Sequence, residues 1–168
     1  MEDFSLRTGE TVILTVLDSN SALYLNKIES KYEIKFYERI GKRVPLYCTS
    51  AGKILLSGFS DEDFERYLAS EQLIPYTQNT IVDKQILRKN IQEIREKGFV
   101  VTESEHESGH KSIAAPIFDR EHKIIASMSI TWPLFRNSTE KIISSLDLLQ
   151  KYTHQISILM GYIEEKKE

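Results

Sequence analysis

The apolar and polar positions along the chain predict two strands, three short helices, three more strands and one long helix. Residues Thr11–Leu17 form a β-branched, apolar run typical of a buried strand, and Ala22–Glu29 alternates between apolar and polar residues. Between them, Asp18–Ser21 has turn chemistry, so the two runs predict an antiparallel hairpin with a four-residue connection. A weaker extended segment is predicted over Glu33–Tyr37.

Three helices are predicted in the middle of the chain, because capping residues precede segments of helical composition or spacing. In the third helix Leu87, Ile91 and Ile94 form one apolar stripe, and Gly98 stands where glycine favours a helix end. The predicted caps and helices are Ser50 with Ala51–Ser57, Ser60 with a helix to about Ala69, and Asp83 with Lys84–Lys97.

The second half of the chain predicts strands over Phe99–Glu103, Ile113–Phe118 and Ile124–Trp132. A long helix follows from about Ser138 to Ile163. Its apolar stripe indicates packing onto the domain's own sheet, although a heptad-like spacing also allows helix pairing between subunits. The stripe comprises Ile142, Leu146, Leu149, Ile156, Met160 and Ile163, with Thr153 filling the gap.

This order of elements favours a mainly antiparallel sheet with helices on its faces, which is an α+β fold. The chain has 168 residues, 40% of them hydrophobic, so we expect one domain with a core that needs no disulfide. The net charge of −3 argues against a domain that binds nucleic acid on its own.

The lone cysteine, Cys48, excludes an internal disulfide, and burial is the ordinary state of such a residue. The first residues have no signal-peptide pattern, and the chain has no apolar run long enough to span a membrane. We therefore expect a cytoplasmic protein in which Cys48 is structural rather than a nucleophile.

The segment from His106 to His110 reads H-E-x-x-H, a spacing that on a helix places two imidazoles together to hold zinc. Here it lies between two predicted strands and contains Gly109, so the context does not support a metalloprotease. A loop that binds metal through His106, His110 and a nearby Glu stays open as an alternative. The simpler interpretation is an exposed polar loop.

Small and hydroxyl-bearing residues predict a binding site for a small anion. Ser50, Ala51 and Gly52 open a helix whose first N–H groups are free to meet a carboxylate. Ser129 and Thr131 are two residues apart on one strand and therefore point to the same face. With Ser112 they indicate a partly polar cavity, although such hydroxyls also bond the local backbone.

Two stretches carry a family resemblance: GKRVPLYCTSAGKILLSG from Gly41, and TIVDKQILRKNIQEIREKGFVVTESEHESGHKSIAAPIFDREHKIIASMSITWP from Thr80. Together they resemble the C-terminal effector-binding domain of the IclR (isocitrate lyase regulator) family of bacterial transcription factors. The match runs from about Gly9 to Gly161. The resemblance implies a GAF-like (profilin-like) domain over residues 1–168, with its core at about 9–163, which binds a small molecule and assembles into dimers or tetramers.

In that family the domain follows an N-terminal winged helix-turn-helix that contacts operator DNA. We therefore expect this chain to be part of a longer regulator, with Met1 added in cloning. The resemblance implies no catalysis and no cofactor, and a small organic acid as effector. The alternatives are a metal-binding hydrolase that uses His106 and His110, and an assembly module without a ligand.

Carried over by position, the resemblance places most of the effector site on residues already considered for the anion site. Thr102 and His110 are departures from the family pattern that leave the identity of the acid open. The effector-binding residues so implied are Ser50, Ala51, Gly52, Thr102, His110, Ser112, Ser129 and Thr131, with Val44 and Phe36 as apolar wall.

Overall fold

The computed structural model describes residues 1–36, 38–136 and 138–164, with only the backbone given for Thr139, Ile142 and Ile143. In this part of the chain the strands are β1 (Thr11–Asp18), β2 (Ser21–Ile28), β3 (Arg43–Pro45), β4 (Val100–Glu103), β5 (His110–Phe118) and β6 (Ile124–Pro133). The helices are α1 (Glu2–Thr8), α2 (Ser50–Ser57), α3 (Asp61–Ser70), α4 (Lys84–Lys97) and α5 (Thr139–Leu159).

The strands form one sheet in the order β3-β2-β1-β6-β5-β4, and every neighbouring pair is antiparallel. The β5–β6 hairpin lies beside β1, so that Ile13 pairs with Ser129 and Thr11 with Thr131. Helices cover both faces of the sheet. The predicted α+β fold with a mainly antiparallel sheet is confirmed.

Two apolar cores lie on opposite faces of the sheet, and alternation along the strands assigns residues to one or the other. On β5, Ala114 belongs to the core beneath α2, α3 and α4, whereas Ile113 and Ala115 belong to the core beneath α1 and α5. Trp132 on β6 is fully buried in the second core. The sheet is therefore a partition with a packed layer on each side.

The capping signals of α3 and α4 are confirmed. The Ser60 hydroxyl accepts from the Asp63 N–H, the Asp83 carboxylate accepts from the N–H groups of Gln85 and Ile86, and Gly98 has a φ of 71°. The predicted cap of α2 is wrong by one residue. Thr49 is the cap, because its Oγ1 accepts from the Gly52 N–H at 3.2 Å, and Ser50 is the first helical residue.

Three further predictions differ from the structure in the first half of the chain. The hairpin connection between β1 and β2 has two residues rather than four, and Ser19 adopts a φ of 55° there. The extended segment is not a strand over residues 33–36, and Tyr37 lies outside the described residues. The short elements α1 and β3 were not predicted, since neither has a strong periodic pattern.

The final helix is shorter than predicted, since it ends at Leu159 instead of Ile163. Leu149 and Thr153 are buried against the sheet, which confirms packing of the stripe on the domain itself. Met160 and Ile163 are exposed instead, because the helix ends before them. The side chain of Ile142 and the end of the charged tail, residues 165–168, lie outside the described part of the chain.

Candidate functional site

Distant stretches of chain surround a small cavity on the α2 face of the sheet. They are the start of α2 with the two residues before it, the facing positions of β1, β2, β4, β5 and β6, the connection between β2 and β3, and the loop that precedes β5. The cavity volume is about 30 Å³, which is room for about two water molecules. The lining consists of Ile13, Tyr24, Phe36, Glu38, Cys48, Thr49, Ser50, Ala51, Thr102, Glu105, His106, His110, Ser112, Ser129 and Thr131.

Strand register places a row of hydroxyls across the floor of the cavity. Ser112 on β5 is directly opposite Thr102 on β4 and Thr131 on β6, so all three side chains lie on the same face of the sheet. Ser129 is opposite Ala114 and lies two residues before Thr131 on β6, on the same face of the sheet. All four hydroxyl-bearing residues are buried.

The hydroxyls form a hydrogen-bond network centred on Ser112. Its Oγ donates to the Ile130 carbonyl at 3.0 Å and accepts from the Thr131 Oγ1 at 3.0 Å. The Ser50 Oγ lies 2.8 Å from the Ser112 Oγ. Because a hydroxyl has one proton and that of Ser112 is used, Ser50 donates to Ser112. Ser50 and Thr131 thus both donate to the Ser112 Oγ, and either O–H can turn towards a ligand instead.

The N-terminus of α2 points its first N–H groups at the same place. Thr49 accepts from the Gly52 N–H, while the N–H groups of Ser50 and Ala51 have no partner within the helix. The small side chain of Ala51 lines the cavity and leaves the helix end accessible. Backbone N–H groups, the helix dipole and two hydroxyl donors together favour an anion.

The other side of the cavity is formed by ionisable groups. Glu38 comes from the connection between β2 and β3, Glu105 and His106 from the loop that precedes β5, and His110 from the first position of β5. Burial lowers the pKa of both histidines below the usual value of 6.5, which favours neutral imidazoles at neutral pH. The Nδ1 of His110 is buried without a hydrogen-bond partner.

Glu105 is held by a buried ion pair and by its own backbone. The Lys53 Nζ, on a side chain that is 1% exposed, lies 2.6 Å from the Glu105 Oε2. Burial lowers the pKa of Lys53, and Glu105 opposes that shift. Thr80 donates its hydroxyl to the Glu105 carbonyl at 2.6 Å, and Thr77 donates to the Ser104 carbonyl. The loop is thereby fastened to both α2 and the segment before α4.

Eight of the ten residues expected at the site line this cavity. Val44 and Gly52 do not. Val44 is buried in the core on β3, and Gly52 packs against the backbone of Leu46, where a Cβ would be 2.5 Å from the Leu46 carbonyl oxygen. Those that do line it are Phe36, Ser50, Ala51, Thr102, His110, Ser112, Ser129 and Thr131.

Several wall residues are not predicted by the sequence. Tyr24 lies on β2 and Glu38 on the connection between β2 and β3, and no local pattern indicates that either side chain reaches the start of α2. Cys48 and Glu105 are close in sequence to predicted site residues, but the contact that fixes Glu105 is with Lys53, 52 residues away, so no local signal identifies it. Burial raises the pKa of the Cys48 thiol to about 12, so its predicted structural role fits the geometry.

The two histidines of the H-E-x-x-H segment are brought together, but not on a helix. His106 lies in a loop with its ring 4.8 Å from that of Tyr76, and His110 starts β5 with its ring 4.1 Å from that of Phe36. They are partly buried rather than part of an exposed loop. Over the residues that the structure describes, no three His, Cys, Asp or Glu side chains are placed to hold a metal ion.

The lowered pKa of His106 and His110 makes stability depend on pH. Between the folded pKa and 6.5 the unfolded chain binds more protons, so stability rises with pH and levels off above about 6.5. We expect urea denaturation to show a stability loss from pH 7.5 to pH 5.5 that is smaller in a variant carrying His106→Asn and His110→Asn. Glu38, whose pKa is raised by burial, titrates in both proteins, so their difference isolates the histidines.

The control for this titration is His122→Asn, in the exposed turn before β6, where the φ of 59° suits asparagine. We expect it to keep the wild-type pH dependence. A double variant with the same pH slope as the wild type would contradict the burial of neutral imidazoles at this site.

The chain is an α+β domain with a small polar cavity between its sheet and the start of α2. The family model for the C-terminal domain of the bacterial transcriptional regulator IclR matches residues 1–158. The chain belongs to the IclR family of transcriptional regulators and is its C-terminal effector-binding domain. Within the described ranges, the helices are too short or too polar to cross a membrane.

Curated relatives are named as regulators. The HTH-type transcriptional regulator KdgR of Escherichia coli strain K12 is 36% identical over 162 residues, which cover 96% of this chain and 62% of KdgR. The HTH-type transcriptional repressor AllR of Salmonella typhimurium strain LT2 is 32% identical over 161 residues, 96% of this chain and 59% of AllR. The chain spans less than two thirds of the length of these relatives.

Solved structures show the same fold. The C-terminal domain of Escherichia coli KdgR has a TM-score of 0.87 at 34% identity, over 96% of this chain and 94% of that one. The Thermotoga maritima IclR has a TM-score of 0.91 at 34% identity, and the match covers 96% of this chain and 65% of that one. The fold is shared with an Acinetobacter PobR inducer-binding domain, a double mutant in complex with 3-hydroxybenzoic acid. That structure has a TM-score of 0.86 at 24% identity, and the match covers 93% of this chain and 92% of that one. These relatives are regulators, so the hydrolase alternative is not favoured.

Proposed function

We propose that the cavity binds a small carboxylic acid as the effector of a longer DNA-binding regulator. The observation that carries the proposal is the pair of donors, Ser50 and Thr131, that meet at Ser112 beside the N-terminus of α2. A carboxylate that takes over these donors gains charge-assisted hydrogen bonds, each worth about 1.5–3 kcal/mol. The names of the relatives support a helix-turn-helix domain for operator DNA outside this chain.

Binding requires the cavity to widen, because about 30 Å³ does not hold a carboxylic acid. Phe36 and Glu38 lie on the connection between β2 and β3, a wall segment with no helix or strand in its described residues before β3. A ligand changes DNA affinity only if it binds one subunit arrangement better than another. Assembly into a dimer or tetramer stays a prediction, supported by the exposed apolar residues Ile158, Leu159, Met160 and Ile163 at the end of α5.

The site is tested by calorimetric titration with a panel of small carboxylic acids. We expect Ala51→Leu to abolish binding, because the larger side chain fills the cavity at the helix end. Thr131→Val should weaken binding about 10-fold to 100-fold, since it removes one donor to the carboxylate. The acids should bind the unmodified domain in a one-to-one ratio.

Two matched variants control for the substitutions themselves. Ala69→Leu makes the same change on an exposed face of α3. Thr15→Val removes a buried hydroxyl that has no hydrogen-bond partner, on a strand position outside the cavity. Both should bind like the wild type. Unchanged affinity in Ala51→Leu and Thr131→Val would refute the site.

A further inference from the structure

The cavity wall beyond the anion-binding end is built of hydrogen-bonding groups rather than apolar ones. Apart from Ile13, Phe36 and Ala51, the lining residues carry a hydroxyl, thiol, imidazole or carboxylate. Two of them, Glu38 and Glu105, are acids. The carboxylates of Glu38 and Glu105 repel the carboxylate of a ligand. The part of the ligand that lies beside them is therefore favoured if it offers hydrogen-bond donors.

Glu105 is a fixed acceptor. The Lys53 ammonium occupies its Oε2, and Thr80 holds its backbone carbonyl. A carboxylate accepts about four hydrogen bonds, so the bond to Lys53 leaves most of its capacity for a ligand. Because the charge is compensated by a buried lysine, Glu105 can accept from a neutral hydroxyl without repelling the whole molecule.

Glu38 and His110 extend the same polar wall. The Glu38 side chain is 2% exposed, and its Oε2 accepts from the Lys42 Nζ at 3.0 Å. His110 lies two residues before Ser112 on β5, so it points to the same face at a distance of about 7 Å along the strand. Its buried Nδ1 has no partner. The polar groups thus continue from the hydroxyl network to the end of the strand.

We propose, on the basis of the proposed carboxylate site, that the effector is an acid that carries hydroxyl groups along its chain. Its carboxylate binds Ser50, Thr131 and the start of α2, and its hydroxyls bind Glu105, Glu38 and His110. Glu105 determines specificity, and Lys53 positions it. Acids with an unsubstituted aliphatic or aromatic body are rejected, because they leave the remaining acceptor capacity of Glu105 and Glu38 and the Nδ1 of His110 unfilled.

The test compares matched acids on the full chain by calorimetry at pH 7.5. D-glycerate and D-gluconate are the hydroxylated probes, and propionate, hexanoate and benzoate are the unsubstituted ones. We expect a hydroxylated acid to bind about 10-fold to 100-fold more tightly than the unsubstituted acid of equal carbon number. In the double variant Lys53→Met with Glu105→Gln, which removes both charges of the buried pair, this preference should fall to less than about a third of its wild-type value.

Glu103→Gln is the matched control, since Glu103 lies on β4 two residues before Glu105 but does not line the cavity, and it should keep the full preference. Unsubstituted acids that bind as tightly as hydroxylated ones, with affinity lost in Thr131→Val, would overturn this inference and leave the carboxylate site standing. Absence of binding by every acid would overturn the carboxylate site itself. A preference unchanged in the double variant would overturn the role of Glu105.

Discussion

Replacing Glu105 with alanine is expected to lower the free energy of unfolding by about 3–5 kcal/mol, the usual cost of leaving a buried charge without its partner. Lys53 has almost no exposed surface, and Glu105 is the ion-pair partner that offsets its burial. Without Glu105 the lysine must lose its proton or draw water into the core. Urea denaturation at pH 7.5 measures the loss.

Removing both members of the pair should cost far less than removing one. We expect Lys53→Met combined with Glu105→Ala to lie within about 1 kcal/mol of the wild type, because apolar replacements of buried pairs are often neutral. Glu103→Ala is the control, since the Glu103 side chain is half exposed and its pair with Lys111 should contribute less than about 1 kcal/mol. Equal losses in Glu105→Ala and Glu103→Ala would show that burial of Lys53 carries no such cost.

Gly52→Ala is expected to destabilise the domain by about 3 kcal/mol or more, although alanine normally stabilises a helix relative to glycine. The added Cβ would lie 2.5 Å from the Leu46 carbonyl oxygen and 2.6 Å from the Leu46 Cα. These are backbone atoms, so relief requires the start of α2 to move away from the segment after β3. Thermal unfolding measures the effect.

Gly58→Ala provides the comparison at the other end of the same helix. There the Cβ would lie 3.0 Å from the Ile124 Cβ, a tight contact that is relieved if Ile124 shifts by a few tenths of an ångström. We expect a loss of less than about 1 kcal/mol. A Gly52→Ala variant that melts at or above the wild-type temperature would contradict the close approach of α2 to Leu46.

The elements that could be predicted are those whose signals are local. Asp83 and Gly98 bound α4 because a cap and a left-handed glycine act within one turn of the helix. The cap of α2 was assigned one residue late because Thr49 and Ser50 are both good caps, and only the turn geometry distinguishes them. The end of α5 was misplaced because apolar spacing continues past Leu159, although packing against the sheet does not.

The hydroxyl end of the cavity was predictable from spacing together with the family resemblance, since Ser112, Ser129 and Thr131 sit on regular strands. The acidic end was not. Glu38 reaches the cavity on a connection that has no regular element in its described residues, and the partner that keeps Glu105 in place is 52 residues away. Contacts of that range depend on the assembled sheet rather than on any local pattern.

Strand β5 has different neighbours on its two sides. Ser112 faces the cavity, while its successor Ile113 is buried against the layer that contains α5. The Phe118 N–H at the far end of the strand donates to the Ser157 Oγ of α5 at 2.9 Å. A single thickness of backbone therefore separates the compartment where a ligand would sit from the helix on the reverse side. Because β5 contacts α5 directly, a displacement of β5 by a bound ligand would also move the part of α5 that packs against it.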